Sequence, residues 1–367
     1  MRALRLLAGP RARAHVARHG LRAADIRAVP AAAGGPKGLI LNPLDRFLFG
    51  HWLTGPGPSV HLAGASIGAW RLACACLPDA DAALARLAED YIAESYAPPT
   101  GERQSARNIS ARFAALLEAQ LDGRQAELLA HPRLRLHVLT SRGRHLLRRE
   151  RPGITHAGYL AAFGCNLLSR RALGLWLERV VFSDPREALP LTLSDLPTRR
   201  VALTPANLQP SIIGSGSIPF WLEAVHDIEG GPRGAYWDGG ITDYHLHWPW
   251  QQIAAQPDSA GLVLYPHFQS RLVPGWLDKA LRWRHRPTPA LDNLVVLAPS
   301  PAWIATLPGA KLPDRQDFKV WQHDVASRMR AWRTAVAESQ RLADEFAQWL
   351  DDGCPADRFE ALESDSS

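Results

Sequence analysis

The chain has 367 residues, of which 46% are hydrophobic and 21% charged, and it carries a formal net charge of +6. This composition is that of a globular protein with a sizeable core. The sequence contains no run of about 18 apolar residues, so no membrane span is predicted. The positive charge would suit nucleic acid or anionic lipid, but no nucleic-acid-binding motif accompanies it. We therefore expect no nucleic-acid partner.

The amino terminus and the cysteines bear on the compartment and on metals. The segment 1–18 contains arginine throughout and lacks the continuous apolar core of a signal peptide, which predicts a cytoplasmic protein. The spacing of the four cysteines is not that of a metal or redox site. They are Cys74, Cys76, Cys165 and Cys354.

Short apolar runs alternate with helical patterns along the chain. Strands are predicted at 25–33, 59–65, 134–140, 200–203, 236–241, 261–265 and 294–298. Helices are predicted at 39–53, 67–76, 80–97, 106–130 and 157–182, and a polar tail at 360–367. This alternation predicts an α/β fold with a largely parallel central sheet and helices on both faces. No linker divides it, so residues 1–367 are expected to form one domain.

Apolar residues recur at helical spacing between residues 317 and 350 near the carboxyl terminus. The pattern predicts one long C-terminal amphipathic helix that covers the core.

A glycine-rich loop, Gly34-Gly35-Pro36-Lys37-Gly38, follows the first predicted strand. Glycine lets backbone N–H groups face an anion, either the oxyanion of acyl transfer or a phosphate. Pro36 has no N–H, so Gly34 and Gly35 are the better donors. Lys37 adds a positive charge to the oxyanion region or to a phosphate head group, or is simply solvated.

The second predicted strand leads into Gly64-Ala65-Ser66-Ile67-Gly68, a G-x-S-x-G sequence followed by a helix. In a strand–turn–helix elbow this pattern presents the serine oxygen, and the flanking glycines allow neighbouring backbone to approach closely. The alternative is a glycine-rich turn with an incidental serine. The strand before it and the helix after it favour a nucleophilic Ser66.

An acidic residue that could act as the base lies in Tyr236-Trp237-Asp238-Gly239-Gly240. The glycine pair allows a tight turn that would leave the carboxylate of Asp238 facing a cleft. Asp-Gly is also a common turn dipeptide, so a purely structural role is equally consistent with the sequence.

Three further polar residues, Asp243, His245 and His247, are spaced by two. In an extended chain they would share one face of a strand. A Ser–His–Asp triad, a metal site and simple packing beside Trp248 and Trp250 all remain open.

Taken in order, the glycine loop, the serine elbow and Asp-Gly-Gly resemble the patatin-like phospholipases. The resemblance implies a three-layer patatin-like fold in which Ser66 is the nucleophile and Asp238 the base of a Ser–Asp dyad. It implies an oxyanion hole at Gly34, Gly35, Lys37 and Gly38 and an elbow flanked by Gly64 and Gly68. The segment Ser215-Gly216-Ser217-Ile218-Pro219 also resembles the family's SxxIP segment.

The chain departs from the family pattern at the edge of the site. Ala33 replaces the usual first glycine of three, and Ala32 occupies a position where aspartate is common. Ile-Thr-Asp-Tyr follows Asp-Gly-Gly in place of a stretch containing Asn-Pro. These differences leave substrate class and oxyanion geometry less defined than the dyad.

The resemblance implies a phospholipase A or lysophospholipase-like enzyme that cleaves lipid acyl esters through an acyl-enzyme, without metal or organic cofactor. A peripheral contact with a membrane is a further expectation. Two alternatives are an esterase or thioesterase acting on soluble acyl substrates and a catalytically silent lipid-binding scaffold.

One basic segment, 274–286, interleaves tryptophan and leucine with lysine and arginine. Such a segment is suited to a lipid interface. The preferred interpretation is a helix that packs its tryptophans inward and leaves its arginines in solvent.

Overall fold

A computed structural model describes residues 1–95, 105–121, 123–254 and 259–362. The strands are Leu4–Ala8 (β1), Ile26–Ala31 (β2), Val60–Ala65 (β3), Leu134–Gly143 (β4), Leu177–Ser183 (β5), Thr198–Ala202 (β6), Val225–His226 (β7), Ala235–Asp238 (β8), Leu262–Pro266 (β9), Leu294–Pro299 (β10) and Phe359–Ala361 (β11). The predicted tail at 360–367 thus begins inside a strand, and residues 363–367 lie outside the described residues.

The helices surround this sheet. They are Pro10–His19 (α1), Asn42–Phe47 (α2), Ile67–Ala75 (α3), Ala80–Ala93 (α4), Ala106–Leu121 (α5), Gln125–Leu129 (α6), Ile154–Leu168 (α7), Arg170–Leu173 (α8), Pro205–Gly216 (α9), Pro301–Ile304 (α10), Asp317–Val320 (α11), Val325–Glu338 (α12) and Gln340–Asp351 (α13). Of the predicted helices, residues 96–97 and 122 lie outside the described part of the chain.

The strands form one mixed, open sheet in the order β11-β1-β10-β9-β2-β3-β4-β5-β6. The strands from β10 to β4 pair in parallel, and every residue of β2, β3, β9 and β10 is buried. Burial along the whole strand is what a parallel sheet covered by helices requires. The predicted α/β class with a largely parallel sheet is confirmed. No helix within the described ranges has the length and apolar character needed to cross a membrane.

Strand β4 brings the ends of two other strands together. β3 runs parallel to β4 and its last residue, Ala65, pairs with Leu139. β8 runs antiparallel to β4 and its last residue, Asp238, pairs with Thr140. Because β5 occupies the other edge of β4, β3 and β8 lie on the same edge and point at each other. The residue after β3 is therefore adjacent to the end of β8.

Several elements differ from the sequence predictions. The arginine-containing amino terminus forms β1 and α1, and both are paired or packed in the fold. The helix predicted over 157–182 is α7 followed by the short α8 and then by β5. β5 contains adjacent valines and is buried on both faces. Its sequence therefore lacks the alternation of apolar and polar residues that would have distinguished a strand from a helix.

The single helix predicted over 317–350 is wrong, because the segment forms α11, α12 and α13. The backbone of Asp324 is not helical, and its side chain accepts the N–H of Ser327 and so caps the start of α12. The buried Ser339 lies between the end of α12 and the start of α13. The two longer helices also bury their apolar faces in different places. Trp332 of α12 packs on Phe318, whereas α13 packs in the main core.

Candidate active site

Ser66 lies in a strained turn between β3 and α3. Its backbone has φ 56° and ψ −130°, a conformation that few non-glycine residues adopt. A Cβ at Gly64 would lie 2.6 Å from the backbone of Ala69, and one at Gly68 would lie 2.2 Å from the carbonyl oxygen of Ala31. Both glycines are therefore required for α3 to begin so close to β2 and β3, as the elbow pattern predicts.

The side chain of Ser66 points to the end of β8. Its hydroxyl donates to Oδ2 of Asp238 at 2.8 Å, and both residues are 5% exposed. No other hydrogen-bond partner of the Ser66 hydroxyl occurs among the residues that the structure describes. A buried serine hydroxyl on a carboxylate is the arrangement from which a proton can be removed during attack.

Asp238 is held by the turn that follows it. Its Oδ1 accepts the N–H of Gly240 at 2.7 Å, and its carbonyl oxygen accepts the hydroxyl of Ser141 at 2.9 Å. Burial raises the pKa of its carboxyl above the ordinary value, opposed by the charge of Arg315 and by the hydrogen bond from Ser66. A raised pKa makes this carboxylate a stronger base than an exposed aspartate.

The end of α9 holds the backbone of both residues. The N–H of Ser66 donates to the hydroxyl of Ser215 at 2.8 Å, and the N–H of Asp238 donates to the carbonyl of Ser217 at 2.8 Å. The segment matched to SxxIP thus fixes the backbone of Ser66 relative to that of Asp238.

The glycine loop begins a tight helical turn beside this pair. A Cβ at Gly34 would lie 2.5 Å from the ring of Phe268, and Gly35 has φ +56° and faces Arg315. Gly38 packs against Ile67 of α3. The first N–H groups of a helical turn have no partner within it, so Gly34 and Gly35 offer donors. Their oxyanion role stays a prediction.

A cavity of about 220 Å³ lies in front of Asp238. Gly34 and Lys37 of the glycine loop line it, together with Ile218 and Pro219 after α9. Asp238, the glycine loop and the SxxIP segment thus line one cavity, although they are far apart in the sequence.

Three cations also line this cavity. They are Lys37, Lys279 and Arg315, and within the described ranges none of them forms an ion pair. Lys279 is exposed as a residue, but its ammonium lies 4.2 Å from the ring centre of Tyr244. Burial of that ammonium lowers its pKa to about 8, with contributions from Lys37 and Arg315. The cavity is therefore suited to an anionic group.

Asp243, His245 and His247 are not arranged with Ser66. Asp243 forms an ion pair with Arg179 and accepts the indole N–H of Trp248. The Nδ1 of the buried His245 accepts the N–H of Val273, and burial lowers the pKa of His247 to about 4. The contacts of Asp243 and His245 are those of packed core residues, and His247 is partly buried.

Within the described ranges, no group of three or more His, Cys, Asp or Glu side chains is placed to hold a metal ion. The basic segment 274–286 forms two short 3₁₀ turns, Trp276–Asp278 and Arg282–His285. Its tryptophans are exposed at these turns, Trp283 by 61%, so the preferred inward packing is wrong.

Sequence reasoning missed Arg315 and the placement of Lys279. Arg315 lies in the loop before α11, and no motif marks that loop. Lys279 lay within the basic segment, but nothing local indicated that its ammonium faces the cavity. A search for unpaired cations would have required the fold.

Comparison with known proteins adds little. No protein-family model and no curated protein matches the chain. Among solved structures it is similar to human GIVD cytosolic phospholipase A2, with 12% identity and a TM-score of 0.36 over 94% of this chain. The chain spans 64% of the length of that protein.

Proposed function

We propose that the chain is a serine acyl hydrolase of lipid esters, with Ser66 as nucleophile and Asp238 as general base. The observation that carries the proposal is the 2.8 Å hydrogen bond between these two side chains at a strained elbow. A strained backbone at a serine costs folding free energy whatever its role, and such strain is concentrated at active sites. The resemblance to patatin-like phospholipases agrees with this assignment.

In the proposed reaction, Oγ of Ser66 attacks the ester carbonyl carbon while Asp238 takes the hydroxyl proton. The N–H groups of Gly34 and Gly35 stabilise the oxyanion, with Lys37 nearby, and one such donor is typically worth about 10²–10³ in rate. Asp238 then protonates the leaving alcohol, and the C–O bond breaks to give the acyl-serine. Water, deprotonated by Asp238, attacks the acyl carbon and releases the acid, returning the proton to Ser66.

The three cations of the cavity favour an ester that carries an anionic group. A phosphate beside the scissile ester, as in a phospholipid or lysophospholipid, would lie among Lys37, Lys279 and Arg315. We accordingly propose a phospholipase A or lysophospholipase-like specificity within one domain, with no cofactor. A cytoplasmic enzyme that contacts membranes peripherally fits this activity.

Two other functions make different predictions. An esterase or thioesterase on soluble acyl substrates would show no preference for anionic lipids over neutral soluble esters. A silent lipid-binding scaffold would not form an acyl-serine at all. The direct contact of Ser66 with Asp238 favours a catalyst over the scaffold.

The test of the proposed reaction is intact-mass spectrometry after treatment with a fluorophosphonate probe. We expect one adduct on the wild-type chain and none on Ser66→Ala. Ser217→Ala is the matched control and should retain the adduct, since the carbonyl of Ile213 is the one partner of the Ser217 hydroxyl among the described residues. A folded wild-type chain without any adduct would contradict the hydrolase and favour the scaffold.

The pH dependence should distinguish anionic from neutral substrates. Because Lys279 has a pKa of about 8, it loses its charge above that pH, and kcat/KM for an anionic lysophospholipid should fall. A neutral ester should show no loss from this group, while both substrates lose rate on the acid side as Asp238 becomes protonated. Lys279→Met should remove the alkaline fall and raise KM for the anionic substrate roughly three- to tenfold. Identical profiles for both substrates would contradict this role.

A further inference from the structure

Helix α7 is amphipathic in the opposite sense to a helix that covers a core. Its buried side consists of small or polar residues and one tyrosine, namely Thr155, Gly158, Tyr159, Ala162 and Asn166. Its large apolar side chains face solvent instead, with Leu160 73% and Leu168 86% exposed. No Asp, Glu, Lys or Arg occurs between residues 154 and 168. Such a helix leaves an apolar face without a partner inside this chain.

Neighbouring elements extend this face. Phe220 stacks on His156 of α7 with ring centres 4.1 Å apart. Hydrogen bonds join α7 to the turns that carry Trp276 and Trp283. The side-chain amide of Asn166 donates to Asp278 at 2.8 Å, and the backbone carbonyl of Asn166 accepts from Arg284 at 2.8 Å.

In the described part of the chain, twelve large hydrophobic side chains are exposed, and ten of them belong to α7 or its neighbours. We define these ten as the α7 surface: Leu146, Ile154, Leu160, Phe163, Leu167, Leu168, Leu175, Phe220, Trp276 and Trp283. Clustering of this kind marks a binding surface, whereas scattered exposed leucines do not.

The α7 surface lies at the cavity of the candidate active site. Trp276 lines that cavity and is 37% exposed, and Phe220 directly follows the lining residue Pro219. A lipid held against this surface would therefore have a short path to the dyad.

Basic side chains accompany the apolar ones. Five exposed arginines lie at the ends of α7 or in the turn around Trp283, and none of the five forms an ion pair within the described ranges. They are Arg148, Arg151, Arg171, Arg282 and Arg286. An apolar face of leucine and tryptophan with arginines at its edge is complementary to the acyl chains and head groups of an anionic bilayer.

We propose that the α7 surface docks the protein on the surface of an anionic phospholipid bilayer. Leucine and tryptophan side chains enter the boundary between head groups and acyl chains, and the arginines bind anionic head groups. The proposed hydrolase activity is needed only for the subsequent step, in which a lipid enters the cavity. Binding itself is independent of Ser66.

The experiment measures sedimentation of the Ser66→Ala chain with vesicles, so that a failure of the hydrolase proposal does not affect it. The vesicles are phosphatidylcholine with phosphatidylglycerol, or phosphatidylcholine alone. We expect the double variant L160E/L168E to lower binding to the mixed vesicles at least about tenfold. Val320→Glu is the control, because Val320 is 70% exposed but lies outside the α7 surface, and its binding should be unchanged.

The charge dependence is tested with R148E/R171E. This variant should bind the mixed vesicles at least about fivefold more weakly than the parent chain does. The parent chain, which keeps its arginines, should bind the mixed vesicles more tightly than vesicles of phosphatidylcholine alone. Thermal melts verify that each variant is folded. Equal binding of L160E/L168E and the parent chain, or no binding of the parent chain, would overturn the proposal. A concentration-dependent dimer of the parent chain that L160E/L168E abolishes would assign the surface to a second copy instead.

Discussion

Replacing Asp238 by asparagine is expected to lower kcat/KM for an activated ester by about 10³–10⁴-fold, toward the upper end of the range for loss of a general base. Asparagine has the same shape, so its oxygen can still accept the N–H of Gly240 that now binds Oδ1. Its amide nitrogen would face Ser66 as a donor and cannot take the hydroxyl proton. The measurement is steady-state hydrolysis of a soluble chromogenic ester, with a thermal melt to show that the variant is folded.

The comparison with Ser66→Ala makes this prediction specific. If the two side chains act as one unit, the double variant should be no slower than the slower single variant. Additive losses would show that Asp238 acts on something other than Ser66. An Asp238→Asn enzyme that keeps more than about a tenth of the wild-type rate would contradict the base assignment, since general-base catalysis is typically worth 10²-fold or more.

Ser66 and Asp238 could be singled out from the sequence because their signals are local. Gly64 and Gly68 flank Ser66 within five residues, and a strand and a helix are readable on either side. Asp238 was marked by the two glycines after it. Their contact could not be predicted from local pattern, since it depends on the pairing of Thr140 with Asp238 on the edge of β4 that also carries β3.

Other features had no local signal for a physical reason. The segment that forms α7 has no charged residue on either face, so its sequence indicates a helix but not which face is buried. Lys279 and Arg315 meet at the cavity only because two separate loops fold over the same edge of the sheet. The break between α12 and α13 was hidden because apolar residues recur on both sides of Ser339, and only the fold shows that Trp332 packs in a different cluster from the apolar face of α13.

Site and surface together suggest a division of labour around the cavity. On one side, the hydroxyl of Ser215 and the carbonyl of Ser217 at the end of α9 accept the backbone N–H groups of Ser66 and Asp238. On the other, exposed aromatic and aliphatic side chains meet the same cavity at Trp276. If both proposals hold, an ester leaves the bilayer along an apolar path and stops where its anionic group reaches the three cations. Substitution of Leu160 and Leu168, which do not line the cavity, should then reduce hydrolysis of vesicle lipids while sparing soluble esters.

A buried ion pair lies just beyond the turn that carries Asp238. Arg179 is completely buried, and its guanidinium donates to both carboxylate oxygens of Asp243 at 2.6 and 2.7 Å. Burial opposes the charge of Arg179, but Asp243 and Asp195 hold its pKa above the ordinary value. The backbone N–H of Asp243 donates to the carbonyl of Gly239, which joins the ion pair to the turn that carries Asp238.

Asp243→Ala is therefore expected to lower the free energy of unfolding by about 3 kcal/mol, the lower end of the cost of breaking a buried ion pair, because Arg179 keeps Asp195 as its second partner. It also removes the acceptor of the Trp248 indole N–H. Denaturant unfolding measures the change. Glu89→Ala is the control, because it breaks an ion pair with Arg333 whose side chains are 61% and 49% exposed, and it should cost no more than about 1 kcal/mol.

The double variant Arg179→Met/Asp243→Leu separates the charge from the packing. Replacing both ions with apolar side chains of similar volume should recover most of the lost stability, since no buried charge then lacks a partner. A loss below about 1 kcal/mol in Asp243→Ala would instead mean that Asp195, which binds Arg179 from the partly exposed side, carries the pair alone. In that case the catalytic turn would be held by the hydrogen bonds of Gly239, Gly240 and Ser141, and the ion pair would be a neighbour of the site without being its support.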